Sequence, residues 1–133
     1  FTGWTALGLI VWSLALAGES LADHQLARFR SRPESATHPC RQGLWRYSRH
    51  PNYFFEWLHW FGYLPLAIGS SNWWLALLGP VLMLVSLRWV SGIPFTEAQA
   101  LRTRGENYRV YQREVNRFFP WWPREHTQAR ASD

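Results

Sequence analysis

Three apolar stretches, residues 1–18, 53–69 and 73–90, constrain this chain most, because the segments around them are dense with arginine. A spanning helix needs roughly 17–25 apolar residues, so each stretch sits near the lower limit for crossing a bilayer. The connection Gly69-Ser70-Ser71-Asn72 is uncharged and built of turn residues, which predicts a tight helical hairpin between the second and third stretches. Segments 19–52 and 91–133 then fall on one side, and both are rich in arginine. By the positive-inside rule that side is cytoplasmic, and a single orientation satisfies every connection. The expected fold is therefore all-α: an integral, multi-pass membrane helical bundle of three transmembrane helices. A cytoplasmic loop over 19–52, a cytoplasmic amphipathic tail over 91–123 and a disordered end over 124–133 complete it.

Charge distribution argues for the same class. The net charge of +5 comes from arginine alone, since the chain has no lysine, and six arginines lie between Arg28 and Arg49. Topology explains them, so no nucleic-acid partner is expected. A mean hydropathy of -0.26 averages greasy spans with very polar connections. Ten tryptophans in 133 residues exceed what a soluble domain of this size carries. Trp45, Tyr47 and Tyr53 mark one membrane interface, and Trp73 and Trp74 the other. Arg88 can snorkel to headgroups near the end of its span, and Pro80 is placed to kink it. Cys40 is alone, which excludes an intrachain disulfide, and no metal-ligand spacing exists. Residues 1–18 lack the basic start and small-residue cleavage site of a signal peptide, so they read as a span. Phe1 opens inside an apolar stretch without a methionine, which suggests a piece of a longer protein whose N-terminal half would be a partner of this one.

Chemistry concentrates where Trp45-Arg46-Tyr47-Ser48-Arg49-His50-Pro51-Asn52-Tyr53 runs into the second span. Pro51 suits a first helical turn, so the helix is expected to start at His50 or Pro51. Its free N–H groups and positive dipole end, beside Arg46, Arg49 and His50, would form a phosphate site for a nucleotide cofactor or, more blandly, for lipid phosphates. Along the same helix Asn52, Glu56, Trp60 and Tyr63 recur at i, i+4, i+8 and i+11, opposite Phe54, Leu58, Phe61 and Pro65. Glu56 would then meet a cation or an amide edge, or else make an interhelix hydrogen bond. His59 reads as a packing partner more readily than as a proton donor. Residues 94–118 read as an amphipathic helix with Leu101, Tyr108, Tyr111, Val115 and Phe118 on one face and Arg102, Arg104, Arg109 and Arg113 framing it. Gly105 is placed to break it. This helix would anchor on the membrane or close over a bound nucleotide, with Glu97, Arg104, Tyr108 and Tyr111 as candidate contacts. The motif Phe118-Phe119-Pro120-Trp121-Trp122-Pro123 would end it in the headgroup layer.

Residues 19–30, the run Gly43-Leu44-Trp45 through Glu56, Ser91-Gly92-Ile93-Pro94, and the Tyr108, Tyr111, Phe118-Phe119-Pro120 tail together resemble the steroid 5-alpha-reductase superfamily, in its bacterial branch of uncharacterised membrane proteins. The resemblance covers nearly the whole chain. It implies a membrane enzyme of about six or seven spans, all helical because helices satisfy their backbone within lipid, with this chain as the C-terminal half. That half would bind NADPH for reduction of a conjugated carbon–carbon double bond in a steroid-like or lipid substrate. Carried over, Asn52 and Glu56 would contact the nicotinamide end, and Asp23 and Arg30 the adenine and phosphate portion. The acid and tyrosine that polarise the substrate would lie in the N-terminal half, so the catalytic residues are not assigned here. Arg49-His50-Pro51, with Tyr53, departs from the reductases and is similar to the Arg-His-Pro-x-Tyr cofactor motif of isoprenylcysteine carboxyl methyltransferases, which use S-adenosylmethionine. The tail departs from both families: the methyltransferases carry paired glutamates where this chain has only Glu97, and the reductases carry histidines there. A non-catalytic membrane or interaction protein is the third reading.

Overall fold

A computed structural model describes residues 2–124. Its described residues are all-α, with no strand among them. Helix α1 spans Gly3–Arg30, α2 Pro51–Trp60, α3 Tyr63–Ala67, α4 Leu78–Val85 and α5 Gly92–Glu114. Short 3-10 turns occupy Pro33–Ala36, Gly43–Arg46 and Trp73–Leu77, and a π turn occupies Ser86–Val90. The chain divides into two compact units, one of residues 1–21 and 52–94, the other of residues 22–51 and 95–133.

In the first unit α2 is bordered by glycines. A Cβ on Gly8 of α1 would lie 2.6 Å from the carbonyl oxygen of Gly62, and one on Gly79 of α4 would lie 2.7 Å from the ring of Trp60. Gly18 faces the ring of Phe55 in the same way. Small residues let helices approach closely where no hydrophobic driving force separates lipid from protein. The indole N–H of Trp57 adds a 3.1 Å hydrogen bond to the carbonyl oxygen of Pro80, and the rings of Trp57 and Phe61 meet edge to face at 4.8 Å.

The expected second span is not one continuous helix. Helix α2 ends at Trp60 and a turn at Phe61-Gly62 precedes α3. A Cβ on Gly62 would lie 3.0 Å from the carbonyl oxygen of Gly8, so the interruption coincides with a close approach to α1. The hairpin connection forms as expected, with Gly69 at φ 100, a conformation that needs glycine, and Ser70 N–H bonded to the Ala67 carbonyl at 3.0 Å. Helix α1 runs to Arg30 without a break, so the polar residues after Gly18 extend the first span. At 1.5 Å per residue α1 is about 42 Å long, more than a hydrocarbon core of roughly 30 Å requires. Pro80 falls in the first turn of α4, where a missing N–H costs little. The chain after Trp73 changes from 3-10 to α to π geometry before Ser91.

Among the described residues two helical runs, Gly3–Arg30 and Trp73–Glu114, are long and apolar enough to cross a membrane. Only 17% of each apolar window is buried. Leu14 and Leu82 are each 64% exposed, so these helices turn their apolar faces outward. Contiguous apolar surface of this kind marks a membrane or protein contact.

In the second unit, the indole N–H of Trp45 bonds the Ala22 carbonyl at 2.9 Å, and Ala22, Phe29, Cys40 and Trp45 form one core cluster. Ala100, Tyr108, Tyr111 and Val115 form another. Gly43 takes a positive φ of 58, and a Cβ there would collide with the Gln25 amide, which accepts the Leu44 N–H at 2.9 Å. Arg124, expected to begin the disordered end, bonds through its N–H to the Glu114 carbonyl at 2.7 Å. The rest of that end, 125–133, lies outside the described residues.

Candidate functional site

The second unit gathers its buried Arg49 and His50 around one buried carboxylate. Segment 45–50 is first fastened to the chain beyond α5. Arg49 N–H bonds the Asn116 carbonyl at 2.8 Å, and Trp121 N–H bonds that of Tyr47 at 3.0 Å. The Ser48 hydroxyl donates to the Phe118 carbonyl at 2.8 Å and accepts the His50 N–H at 3.1 Å. From the core, the Tyr111 hydroxyl bonds the carbonyls of Trp45 and Ser48.

On this frame Glu97 receives four donors. Nη1 of Arg49 lies 3.0 Å from Oε1 and 2.9 Å from Oε2. Nε2 of His50 is 3.1 Å from Oε2, the Tyr108 hydroxyl 2.7 Å from Oε2, and the Gln112 amide nitrogen 3.3 Å from Oε1. Arg117 Nε stands 4.0 Å from Oε1. Arg49, His50, Glu97 and Tyr108 are all buried.

Gly105 makes this convergence possible. Eleven residues of straight helix separate side chains by about 16 Å, beyond the joint reach of a tyrosine and a glutamate. Gly105 interrupts α5 with φ 51 and ψ -123, a conformation essentially closed to residues with a Cβ. The chain turns there and brings Tyr108 back onto Glu97. A Cβ at Gly105 would meet nothing within 4 Å, so the cost of substitution is backbone strain alone. Gly105→Ala is expected to destabilise the protein by about 1–3 kcal/mol, read by thermal unfolding, with Glu106→Ala next to it nearly neutral.

Burial works against the Glu97 charge, but the His50 hydrogen bond, the Arg49 guanidinium and the Tyr108 hydroxyl outweigh it and bring the carboxyl to about 2. Burial lowers His50 from its ordinary 6.5, opposed by Glu97 and reinforced by Arg49 and Arg117. The imidazole is thus neutral at pH 7 and donates from Nε2, so Glu97 is held by that hydrogen bond and Arg49 rather than by an imidazolium. Burial, and then the adjacent Glu97 charge, push Tyr108 far up. Burial lowers Arg49, with Glu97 opposing, yet a guanidinium keeps its proton. The state at neutral pH is two guanidiniums, one carboxylate, a neutral imidazole and a neutral phenol.

Of the residues singled out from the sequence, Arg49, His50, Glu97 and Tyr108 come together, with Tyr111 supporting them. Arg104 instead clips a loop, its Nε bonding the carbonyls of Ser35 and His38 at 3.1 Å. Asp23, Arg30 and Arg46 are exposed, Arg46 lying 6.0 Å from the Tyr47 ring centroid. Asn52, Tyr53 and Glu56 belong to the other unit and are half-buried on α2. Asn52 Oδ1 accepts the Tyr53 N–H at 3.0 Å, and the Glu56 carbonyl faces His59 Nδ1. Gln112 and Arg117 escaped the sequence reading. Gln112 follows Tyr108 by four residues, a face-sharing interval that could have flagged it.

The second unit also carries an open groove of about 330 Å³, floored by Phe29, Pro39 and Val110 and rimmed by His38, Arg41 and Asn107. Arg41 caps the Tyr111 ring at 5.4 Å and pairs with Glu114 at 2.7 Å.

Fold and site together define an all-α protein with outward-facing apolar helices and a buried, cation-rich cluster. The chain belongs to the family described as protein of unknown function (DUF1295), whose model matches residues 1–115. No curated protein and no solved structure matches it.

Proposed function

We propose that this chain is the cofactor-binding part of a membrane-embedded, NADPH-dependent reductase acting on a conjugated carbon–carbon double bond in an apolar, lipid-like or steroid-like substrate. In this reading it spans the bilayer three times, with 19–52 and the tail from 91 cytoplasmic, and the substrate enters from lipid. The substrate-polarising groups would come from helices of the N-terminal half that the resemblance implies.

The observation that carries the reading is the cluster on Glu97. It holds Arg49 and His50 rigid and cation-rich immediately before α2, the helix that bears Asn52 and Glu56. A hydride-transfer enzyme must fix its cofactor more than it must react with it. The buried guanidinium Nε of Arg49 has no acceptor among the described residues, so an anionic cofactor fits the residues present. Arg49 and Arg46 would hold phosphate, and the resemblance assigns the carboxamide end to Asn52 and Glu56. The groove of Phe29, Pro39 and Val110 offers an apolar floor for a heterocycle. Bound there, NADPH would supply a hydride to the β carbon while a proton reaches the α carbon. Glu97 keeps Arg49 oriented, and the outward apolar helices keep water from the substrate.

A second reading has its own observation. Arg49-His50 of the Arg-His-Pro-x-Tyr run meets Glu97, the single glutamate this chain has where the isoprenylcysteine carboxyl methyltransferases carry a pair. In that case the same arginines and His50 would face the carboxylate and adenosine of S-adenosylmethionine.

Thermal unfolding of the detergent-purified protein with each cofactor decides between them, because a ligand selective for the native state raises apparent stability. NADPH is expected to stabilise it, and Glu56→Gln to weaken that binding about tenfold, or roughly 1.4 kcal/mol. NADPH binding unchanged in Glu56→Gln would overturn the nicotinamide assignment. Stabilisation by S-adenosylmethionine alone, more sensitive to His50→Ala than to Glu56→Gln, would establish the methyltransferase instead.

A further inference from the structure

We infer that Arg49 and Arg117, flanking the Glu97 carboxylate, form a subsite for one singly charged oxyanion, either a carboxylate or a phosphodiester. The inference deepens the cofactor reading above, whose site it shares, by naming Arg117 as a binding residue and fixing the charge of the group it takes.

Arg49 spends its Nη1 on both oxygens of Glu97. Among the described residues its Nε is buried without an acceptor, and so is the Nε of Arg117, 4.0 Å from Glu97 Oε1. Buried polar groups nearly always find partners, and an orphaned guanidinium donor is costly to leave so. Here two such donors, on different guanidiniums, border one carboxylate. Neutral donors would not suit them, since a guanidinium has no lone pair to offer. The complementary group is an acceptor, and an oxyanion can accept from both.

Charge sets the number of negative charges it carries. Arg49 and Arg117 contribute two positive charges and Glu97 one negative, while His50 and Tyr108 are neutral. The nearby Arg41 is already matched by Glu114. One further negative charge balances the cluster, and a second would be repelled by Glu97. A phosphodiester or carboxylate meets that count; a phosphomonoester dianion exceeds it. Of the two side chains Arg117 is the more exposed, 39% against 6% for Arg49. Cofactor pyrophosphate oxygens, a cofactor carboxylate and a phospholipid headgroup share this chemistry.

The test needs no cofactor. Thermal unfolding of the purified protein in neutral detergent at pH 8 is titrated with dimethyl phosphate, acetate and methyl phosphate, against sodium chloride at matched ionic strength. Dimethyl phosphate and acetate should stabilise saturably and methyl phosphate should bind at least fivefold more weakly. Arg117→Gln should weaken the two monoanions about tenfold, and Arg102→Gln should leave them unchanged. Equal titrations in Arg117→Gln and the parent protein, or a response that tracks ionic strength alone, would overturn the subsite. The same variant then separates the sources. Weakened NADPH or S-adenosylmethionine binding assigns the subsite to the cofactor, and reduced retention of phosphatidylglycerol in nanodiscs assigns it to lipid. A subsite that takes dimethyl phosphate through Arg117 while neither cofactor binds would stand, and the reductase and methyltransferase readings would fall.

Discussion

Glu97→Ala is expected to cost about 3–5 kcal/mol of stability, the range for removing one partner from a buried ion pair. The side chain is 11% exposed and Arg49 is 6% exposed, so water cannot replace the lost carboxylate at Arg49. The hydroxyl of Tyr108 and Nε2 of His50 lose the same acceptor. Glu97→Gln keeps the volume and one acceptor oxygen but removes the charge that balances Arg49, so it should fall between the alanine variant and the parent. Unfolding followed by tryptophan fluorescence measures both, and amide exchange locates the damage. Segment 45–50 and the chain after Gly105 should exchange faster in Glu97→Ala, because Glu97 is what ties Arg49 to Tyr108. A loss under 1 kcal/mol would mean that the backbone bonds of Arg49, Ser48 and Tyr47 hold this segment without the carboxylate.

Local features of this architecture were legible in the sequence, and distant ones were not. Pro51 as a helix start and Gly105 as a helix break follow from backbone sterics of one residue, and the structure places both where expected. The shared face of Tyr108, Tyr111 and Val115 follows from helical spacing, and these residues form one core cluster. Glu97 as the hub did not follow, since its partners Arg49 and His50 lie 48 and 47 residues upstream and no periodicity relates them. Arginine density described 19–52 as one basic loop; the structure assigns individual duties, with Arg41 on Glu114, Arg49 on Glu97 and Arg30 ending α1. Hydropathy overestimated the continuity of the second span. It scores composition, while the turn at Phe61-Gly62 arises where a glycine meets the backbone of another helix.

Acidification should destabilise the protein in two stages, in each of which the unfolded chain takes up a proton before the folded one. His50 is held below its ordinary 6.5, with burial the larger cause. The unfolded chain therefore binds a proton first, and this contribution, complete above pH 6.5, is lost as pH falls toward the folded value. Glu97 moves from an ordinary 4.5 to about 2. It contributes fully above pH 4.5 and loses that contribution between pH 4.5 and 2, where the unfolded carboxyl takes up its proton first. A difference of two and a half units corresponds to about 3 kcal/mol, and the low exposure of Glu97 leaves little solvent screening to reduce it. Denaturant unfolding measured from pH 8 to pH 3 reads both stages. His50→Asn should flatten the upper stage and leave the lower one, while Glu97→Gln should remove the lower stage. Stability that rises on going from pH 7 to pH 5 would show the reverse sign for His50, an imidazolium held by Glu97 in the folded protein. The cluster would then carry two surplus positive charges, and its charge balance would call for a phosphomonoester dianion in place of a phosphodiester.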